Sequence, residues 1–266
     1  MSSARFHLPF IVLIGCGPQL RPAEVPRADG GATSVLARMC RTYEVTDVYA
    51  DSETLVRHDS MRSTIVATTM MKRSTSRFQF ETNDYRLLLR VPIRFATWSI
   101  DGQVQARDPD GAVKKERSIE DALDALRGVS GLSSWLVPML LMSPQAFPCH
   151  DANAELLGHA TVDGQDSFKV RLVWHSKLVV ILFVDVSDFT INAWSLAHID
   201  QPEVPFMDAT VTSDMHTDIT DRAFNLFEDC HYSNGAAQAS QGCGGEILKR
   251  AEIKPHERSD DAGRRP

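Results

Sequence analysis

The sequence predicts an α+β domain, one large antiparallel sheet with two central helices able to cover its apolar face. Three observations predict it. Short runs of β-branched and aromatic residues follow one another from Glu53 to Ile100, and again from Ala154 to Ile219. A single clearly helical region, Ser118 to Met142, separates the two series. Most runs are joined by short turns such as Asp101-Gly102 and Asp163-Gly164, which close hairpins, and meandering hairpins build antiparallel sheets.

The N-terminus reads as a targeting segment. Arg5 precedes the apolar run Leu8–Ile14, which contains Pro9, and Gly15 and Cys16 follow. A cationic start, a short apolar stretch and a small-residue exit describe a secretory signal. The cysteine directly after Leu13-Ile14-Gly15 resembles a lipobox. That resemblance implies cleavage before Cys16, which then becomes the lipidated first residue of the mature chain and its link to a membrane. Gly17 stands where an Asp would favour inner-membrane retention in diderm bacteria, so the same pattern implies the outer membrane, facing the periplasm. Residues 17–32 are rich in Pro and Gly and form a tether.

Thr33 or Ser34 caps a short helix in which Val35, Leu36, Met39 and Tyr43 have helical spacing. After Asp47 the texture turns to β. Strands are expected over Glu53–His58, Thr64–Lys72, Ser76–Glu81, Tyr85–Val91 and Ile93–Ile100. Arg77-Phe78-Gln79-Phe80-Glu81 alternates as a half-buried strand should. Gln103-Val104-Gln105 returns after Asp101-Gly102, and Asp108-Pro109-Asp110-Gly111 is a further turn.

Ser118-x-x-Asp121 resembles a capping box, and Ile119, Ala122, Leu123 and Leu126 then share one helix face. Ser133 or Ser134 starts a second helical segment through Trp135-Leu136-Val137-Pro138-Met139-Leu140-Leu141-Met142. It is apolar nearly all round, which requires burial on most sides. Strands return over Ala154–Val162, Ser167–Trp174, Leu178–Asp185, Thr190–Ile199 and Ala209–Ile219. From Ser233 onward the chain is Gly, Ala, Ser and mixed charge without aromatics, a composition that does not form a core. The expected organisation is a signal over 1–16, a tether over 17–32, one domain over 33–229 and a disordered tail over 230–266.

Composition narrows the class. At 43 % apolar, 266 residues support a sizeable core. No run after the signal approaches the roughly 20 apolar residues of a spanning helix. The net charge is −7, and loss of the leader with its single Arg makes it −8, which argues against a nucleic-acid partner. With Cys16 set aside, Cys40, Cys149, Cys230 and Cys243 allow three disulfide connectivities. Cys230–Cys243 is favoured because a Gly/Ala/Ser-rich stretch can close that loop. The adjacent pairs Cys149-His150 and Cys230-His231 lack the usual zinc-ligand spacing, so no metal is expected.

Several segments, in order, resemble exported bacterial proteins of the lipoprotein-carrier (LolA/LolB-like) type. They are Arg41-Thr42-Tyr43 running to Val48-Tyr49-Ala50-Asp51, the Arg77–Glu81 strand, Trp98-Ser99-Ile100-Asp101-Gly102, Ala125-Leu126-Arg127-Gly128-Val129-Ser130, Val137-Pro138-Met139-Leu140-Leu141, and Leu157-Gly158 followed by Val162-Asp163-Gly164. Ile181-Leu182-Phe183-Val184-Asp185 keeps the family's alternation and Asp but lacks its Trp, and Ser167-Phe168 replaces its Cys-Tyr. The resemblance implies an unclosed antiparallel β-barrel, a strongly curved sheet with helices covering the concave face. It also implies an apolar cavity that holds a lipid or acyl chain. The alternative is an envelope protein-interaction or stress-sensor domain of the same fold, without a lipid ligand.

No catalytic constellation is present: there is no Gly-x-Ser-x-Gly elbow, His-Glu-x-x-His or phosphate-binding glycine loop. A non-enzymatic protein without a cofactor is expected. Asp214, His216 and Asp218 would share one strand face, but a solvated face is the simpler reading. Lys72-Arg73 and Lys114-Lys115-Glu116-Arg117 read as solvated surface beside turns. The candidate apolar ligand-binding residues are Trp98, Trp135, Leu136, Met139, Leu140, Trp174 and Trp194. In them the segment Trp135–Met142 acts as a lid over the sheet, its methionines adapting to variable ligands. An ordinary core is the competing reading of the same residues.

Overall fold

The structure is a computed structural model, and it describes residues 31–58, 62–86, 92–100, 102–127, 130, 133–134, 136–174, 177–215, 219 and 224. Cys16, Trp135, His216, Asp218, Cys230 and Cys243 lie outside the described residues.

Helix α1 (Gly31–Val45) leads into β1 (Val48–Arg57), β2 (Ser63–Lys72), β3 (Arg77–Arg86), β4 (Ile93–Ile100), β5 (Gln103–Arg107) and β6 (Val113–Glu116). Helices α2 (Ile119–Leu126) and α3 (Val137–Met142) follow. The chain then runs through β7 (Glu155–Val162), β8 (Gln165–Trp174), β9 (Leu178–Asp185), β10 (Ile191–His198) and β11 (Pro205–Asp214). The strands form one 11-stranded sheet in the order β6-β5-β4-β3-β2-β1-β11-β10-β9-β8-β7. Every neighbouring pair is antiparallel. Two meanders are thus joined through the first and last strands, where β1 pairs β11 from Ala50↔Asp214 to Arg57↔Met207. Strands β6 and β7 stand at opposite edges, so the sheet is open.

Local chemistry accounts for many of the boundaries. The β7–β8 hairpin turns on Asp163 (φ 48°) and Gly164 (φ 83°), two consecutive left-handed residues of the type I′ kind that suits strand twist. Helix α2 is capped by Ser118, whose hydroxyl accepts from the Asp121 N–H at 3.0 Å. Pro138 falls in the first turn of α3, where its missing N–H costs nothing.

Several boundaries differ from expectation. Helix α1 begins at Gly31, inside the stretch read as tether and ahead of Thr33 and Ser34. Strand β1 begins at Val48 rather than Glu53, because its ladder with β2 runs from Val48↔Lys72 onward. Strand β3 runs unbroken through Thr82-Asn83-Asp84, because ladders to β2 and β4 hold both its edges. The basic run Val113–Glu116 is an edge strand, which lysines keep soluble. Strand β11 starts at Pro205 and ends at Asp214, set by its register with β1. Helix α3 starts only at Val137, because Ser134 and Ser130 spend their hydroxyls on each other (2.8 Å) and on the Leu123 carbonyl (3.0 Å).

Alternation sorts the sheet into two faces. On the first, Tyr49, Leu55, Met71, Phe78, Phe80, Val170, Leu182 and Trp194 form one apolar cluster with Leu36, Met39 and Tyr43 of α1, Leu123 of α2 and Leu140 of α3. On the second, Ala50, Met70, Ala96 and Trp98 pack with Ile219 and Phe224. A disulfide between Cys40 and Cys149 ties α1 to the stretch after α3 across 109 residues. It commits the sulfur that a zinc site at Cys149-His150 would need; the expected Cys230–Cys243 bond lies outside the described residues.

Candidate functional site

A slot of about 350 Å³ opens where the β2–β3 and β4–β5 turns meet the start of α2 and the end of α3. Its apolar wall consists of Met71, Phe78, Val104, Ile119 and Met142. The first four of these are buried on the first sheet face or on α2. Its rim is polar: Arg73, Ser76, Arg77, Ser99, Arg117, Ser118 and Glu120. That volume lies in the range of small-ligand sites, and an apolar wall with a few polar groups is their usual chemistry.

Hydrogen bonds hold the walls in place. The Ser143 hydroxyl donates to Glu120 Oε1 at 3.0 Å and joins α3 to α2. Arg73 donates from Nη2 to the carbonyls of Leu141 (2.8 Å) and Tyr43 (3.3 Å), and from Nε to that of Thr46 (3.2 Å). One guanidinium thus caps the C-terminal ends of α1 and α3, where the carbonyls lack helical partners and the dipole is negative. Arg73 is therefore a fixed structural cation rather than part of a solvated charge run.

A second, wider cleft of about 730 Å³ runs beside the disulfide, between Ala37, Arg41 and Glu44 of α1 and the stretch Pro144–Asp151. Among the described residues, no group of three or more His, Cys, Asp or Glu could hold a metal ion. No helix of the described residues is long and apolar enough to cross a membrane.

Behind these clefts, the apolar cluster contains a polar chain. Strand β1 presents Tyr49, Asp51, Glu53 and Leu55 to the first face, and both carboxylates are buried. The Tyr49 hydroxyl donates to Asp51 Oδ2 at 2.9 Å, and the Thr69 N–H donates to Asp51 Oδ1 at 2.8 Å. The Trp194 indole N–H donates to Glu53 Oε1. The Ile191 N–H donates to the Tyr43 hydroxyl at 3.0 Å. Burial pushes the Asp51 carboxyl up to about 7 against the pull of these donors. Burial, aided by the neighbouring Asp51 charge, pushes Glu53 up to about 8. Burial likewise raises both tyrosines. Neither carboxylate lines the slot, so the chain is an internal brace between β1, β2 and β10.

The residues singled out from sequence separate into three groups. Leu136, Met139, Leu140, Trp174 and Trp194 are buried together in the first-face cluster. Trp174 meets Phe147 edge-on at 5.8 Å. Trp98 projects to the second face, in the cluster with Phe224, and so stands apart from α3. Trp135 lies outside the described residues. From the segment 135–142, the described residue that lines the slot is Met142. Sequence reading missed Arg73, Arg117, Asp51 and Glu53. The first two sit in charge runs that look like plain surface, and the acids alternate on a strand in the pattern of an exposed face.

No family model matches this sequence, and no curated protein matches it. Solved structures are similar in fold at low identity. An uncharacterized conserved protein from Thermus thermophilus has a TM-score of 0.45 at 9% identity, over 79% of this chain and 96% of that chain. A chain of the Pseudomonas aeruginosa MucA/MucB complex has a TM-score of 0.40 at 11% identity, over 72% of this chain and 59% of that chain. A lipoprotein-sorting protein domain from Vibrio parahaemolyticus, described as an outer-membrane one, has a TM-score of 0.36 at 9% identity, over 77% of this chain and 99% of that chain. Its structural neighbours also include LprF from Mycobacterium bovis, at a TM-score of 0.38 and 12% identity, and a LolA superfamily protein from Nitrosomonas europaea, at a TM-score of 0.28 and 10% identity; each is alike in overall fold alone.

Proposed function

We propose that this protein is a non-enzymatic, lipid-anchored lipoprotein of the cell envelope that binds a lipid, acyl chain or other apolar moiety. In this reading Cys16 carries the anchor, and the domain faces the periplasm from the outer membrane. The open sheet is a half-barrel whose concave face the helices cover, and the ligand enters where that cover is incomplete. The observation that carries the reading is the slot of about 350 Å³ walled by Met71, Phe78, Val104, Ile119 and Met142. Apolar surface around a slot of this size has unmet van der Waals contacts that an alkyl chain can supply. The order of Arg5, apolar run, Gly15 and Cys16 supports the anchor.

Displacement of a fluorescent fatty acid tests the binding. The wild type is expected to bind it, and Val104→Trp, which fills the slot from β5, to lose binding while remaining folded. Failure of the wild type to bind any alkyl ligand would turn the reading toward a protein-interaction domain. Palmitate labelling tests the anchor: the wild type is expected to label and Cys16→Ala to lose the label. Equal labelling of both refutes the anchor.

A further inference from the structure

We propose that the slot selects a single-chain anionic amphiphile, with its alkyl chain inside and its carboxylate at Arg117. The inference rests on the apolar-ligand reading above and adds the class of head group. Three arginines and one glutamate line the slot, so its rim is formally +2 on a chain of net charge −7. That sign is opposite to the whole chain's, and it favours an anionic over a cationic head group at the rim.

The four charges have different roles. Arg73 is fixed by its bonds to three carbonyls, which use Nε and Nη2, and it contributes a stationary positive field. Arg77 lies 5.8 Å over the Phe224 ring and is oriented toward the second sheet face. Glu120 is engaged by the Ser143 hydroxyl. Arg117 is exposed at the junction of β6 and α2 and, among the described residues, has no ion-pair partner. Its guanidinium is the rim group available to form a two-pronged, charge-assisted bond with a carboxylate.

A head group at that point sits where the apolar wall ends and water begins, as a fatty carboxylate requires. At about 350 Å³ the slot is at the lower end of the size range of small-ligand sites, which favours one alkyl chain over two. A neutral head forgoes the charge-assisted bond, and a cationic head meets the +2 rim.

The test titrates the full chain with dodecanoate, dodecanol and dodecyltrimethylammonium by calorimetry at low and moderate salt. Dodecanoate is expected to bind about tenfold more tightly than dodecanol, with the preference shrinking as salt rises. Dodecyltrimethylammonium is expected to bind most weakly. Arg117→Gln should bring dodecanoate down to the level of dodecanol while dodecanol binding holds, and Arg117→Lys should keep part of the preference. Equal affinity for acid and alcohol in the wild type overturns the head-group assignment and leaves the apolar slot standing. So does a preference that survives Arg117→Gln. Absence of binding by all three amphiphiles overturns the apolar-ligand reading itself.

Discussion

Raising the pH from 5 to 8.5 should destabilise this domain through Asp51 and Glu53. Both carboxyls are buried on β1 amid apolar side chains, and the groups that face them are Tyr43, Tyr49, Thr69 and Trp194, none of them cationic. A carboxyl whose folded pKa lies above its unfolded value holds its proton more tightly in the folded chain. Its contribution is therefore fully present below about pH 4, where both states are protonated, and it is lost as pH rises through the folded value. The window here ends at about 7 for Asp51 and about 8 for Glu53.

At about 1.4 kcal/mol per pKa unit, a rise from 3.8 to about 7 in Asp51 corresponds to about 4 kcal/mol. The rise from 4.5 to about 8 in Glu53 is of similar size. Either is a large share of the roughly 5–15 kcal/mol that stabilises a typical domain. Asp185 does not mask the effect. Its burial would raise it, but hydrogen bonds from the Ser187 hydroxyl and N–H and from Asn192 outweigh burial and hold it below the usual carboxylate range. Its contribution is present above its unfolded value and is lost only in stronger acid.

Urea denaturation at half-unit pH steps is the assay. The midpoint is expected to fall steadily between pH 5 and 8.5. Glu53→Gln, which keeps an acceptor for the Trp194 indole, should flatten the upper part of the slope. A midpoint that is flat or rises across this range would refute the account of the brace, as would a Glu53→Gln variant with the wild-type slope.

Three further outcomes follow from the same packing. Cys40→Ala/Cys149→Ala removes a cross-link spanning 109 residues and should lower stability by about 4–5 kcal/mol, and reductant should affect the wild type but not the double variant. Met139→Ala should cost about 2–5 kcal/mol in chemical unfolding, because Met139 is 7% exposed and packs in the first-face cluster rather than lining the slot. Arg73→Met removes three bonds to the ends of α1 and α3; faster amide exchange at both helix ends is expected, whereas unchanged exchange would show the bonds to be dispensable.

What the sequence determined by itself is the local part. The alternating runs and their turn dipeptides determine antiparallel strands, since a two-residue Asp-Gly connection imposes a hairpin. Ile93–Ile100 and Leu178–Asp185 are bounded in the structure as their residues predict. Ser118 caps α2 because the hydroxyl and the N–H it meets are three residues apart. The apolar segment at α3 is buried because it has no polar face to show water.

The tertiary structure decided whatever depends on a partner far along the chain. The pairing of β1 with β11 joins strands at the two ends of the domain, and no nearby residue specifies it. That pairing sets the register and hence the face each side chain takes, so Trp194 meets Glu53 on one face while Trp98 joins Phe224 on the other. Asp51 and Glu53 look like an exposed face in sequence and become an interior brace only once α1 and β10 close over them. Arg73 and Arg117 look like plain surface charge in sequence. They acquire roles only when the fold brings the ends of α1 and α3 to the first, and the mouth of an apolar slot to the second. A side chain's local pattern states what it can bond to, and the fold decides what it meets.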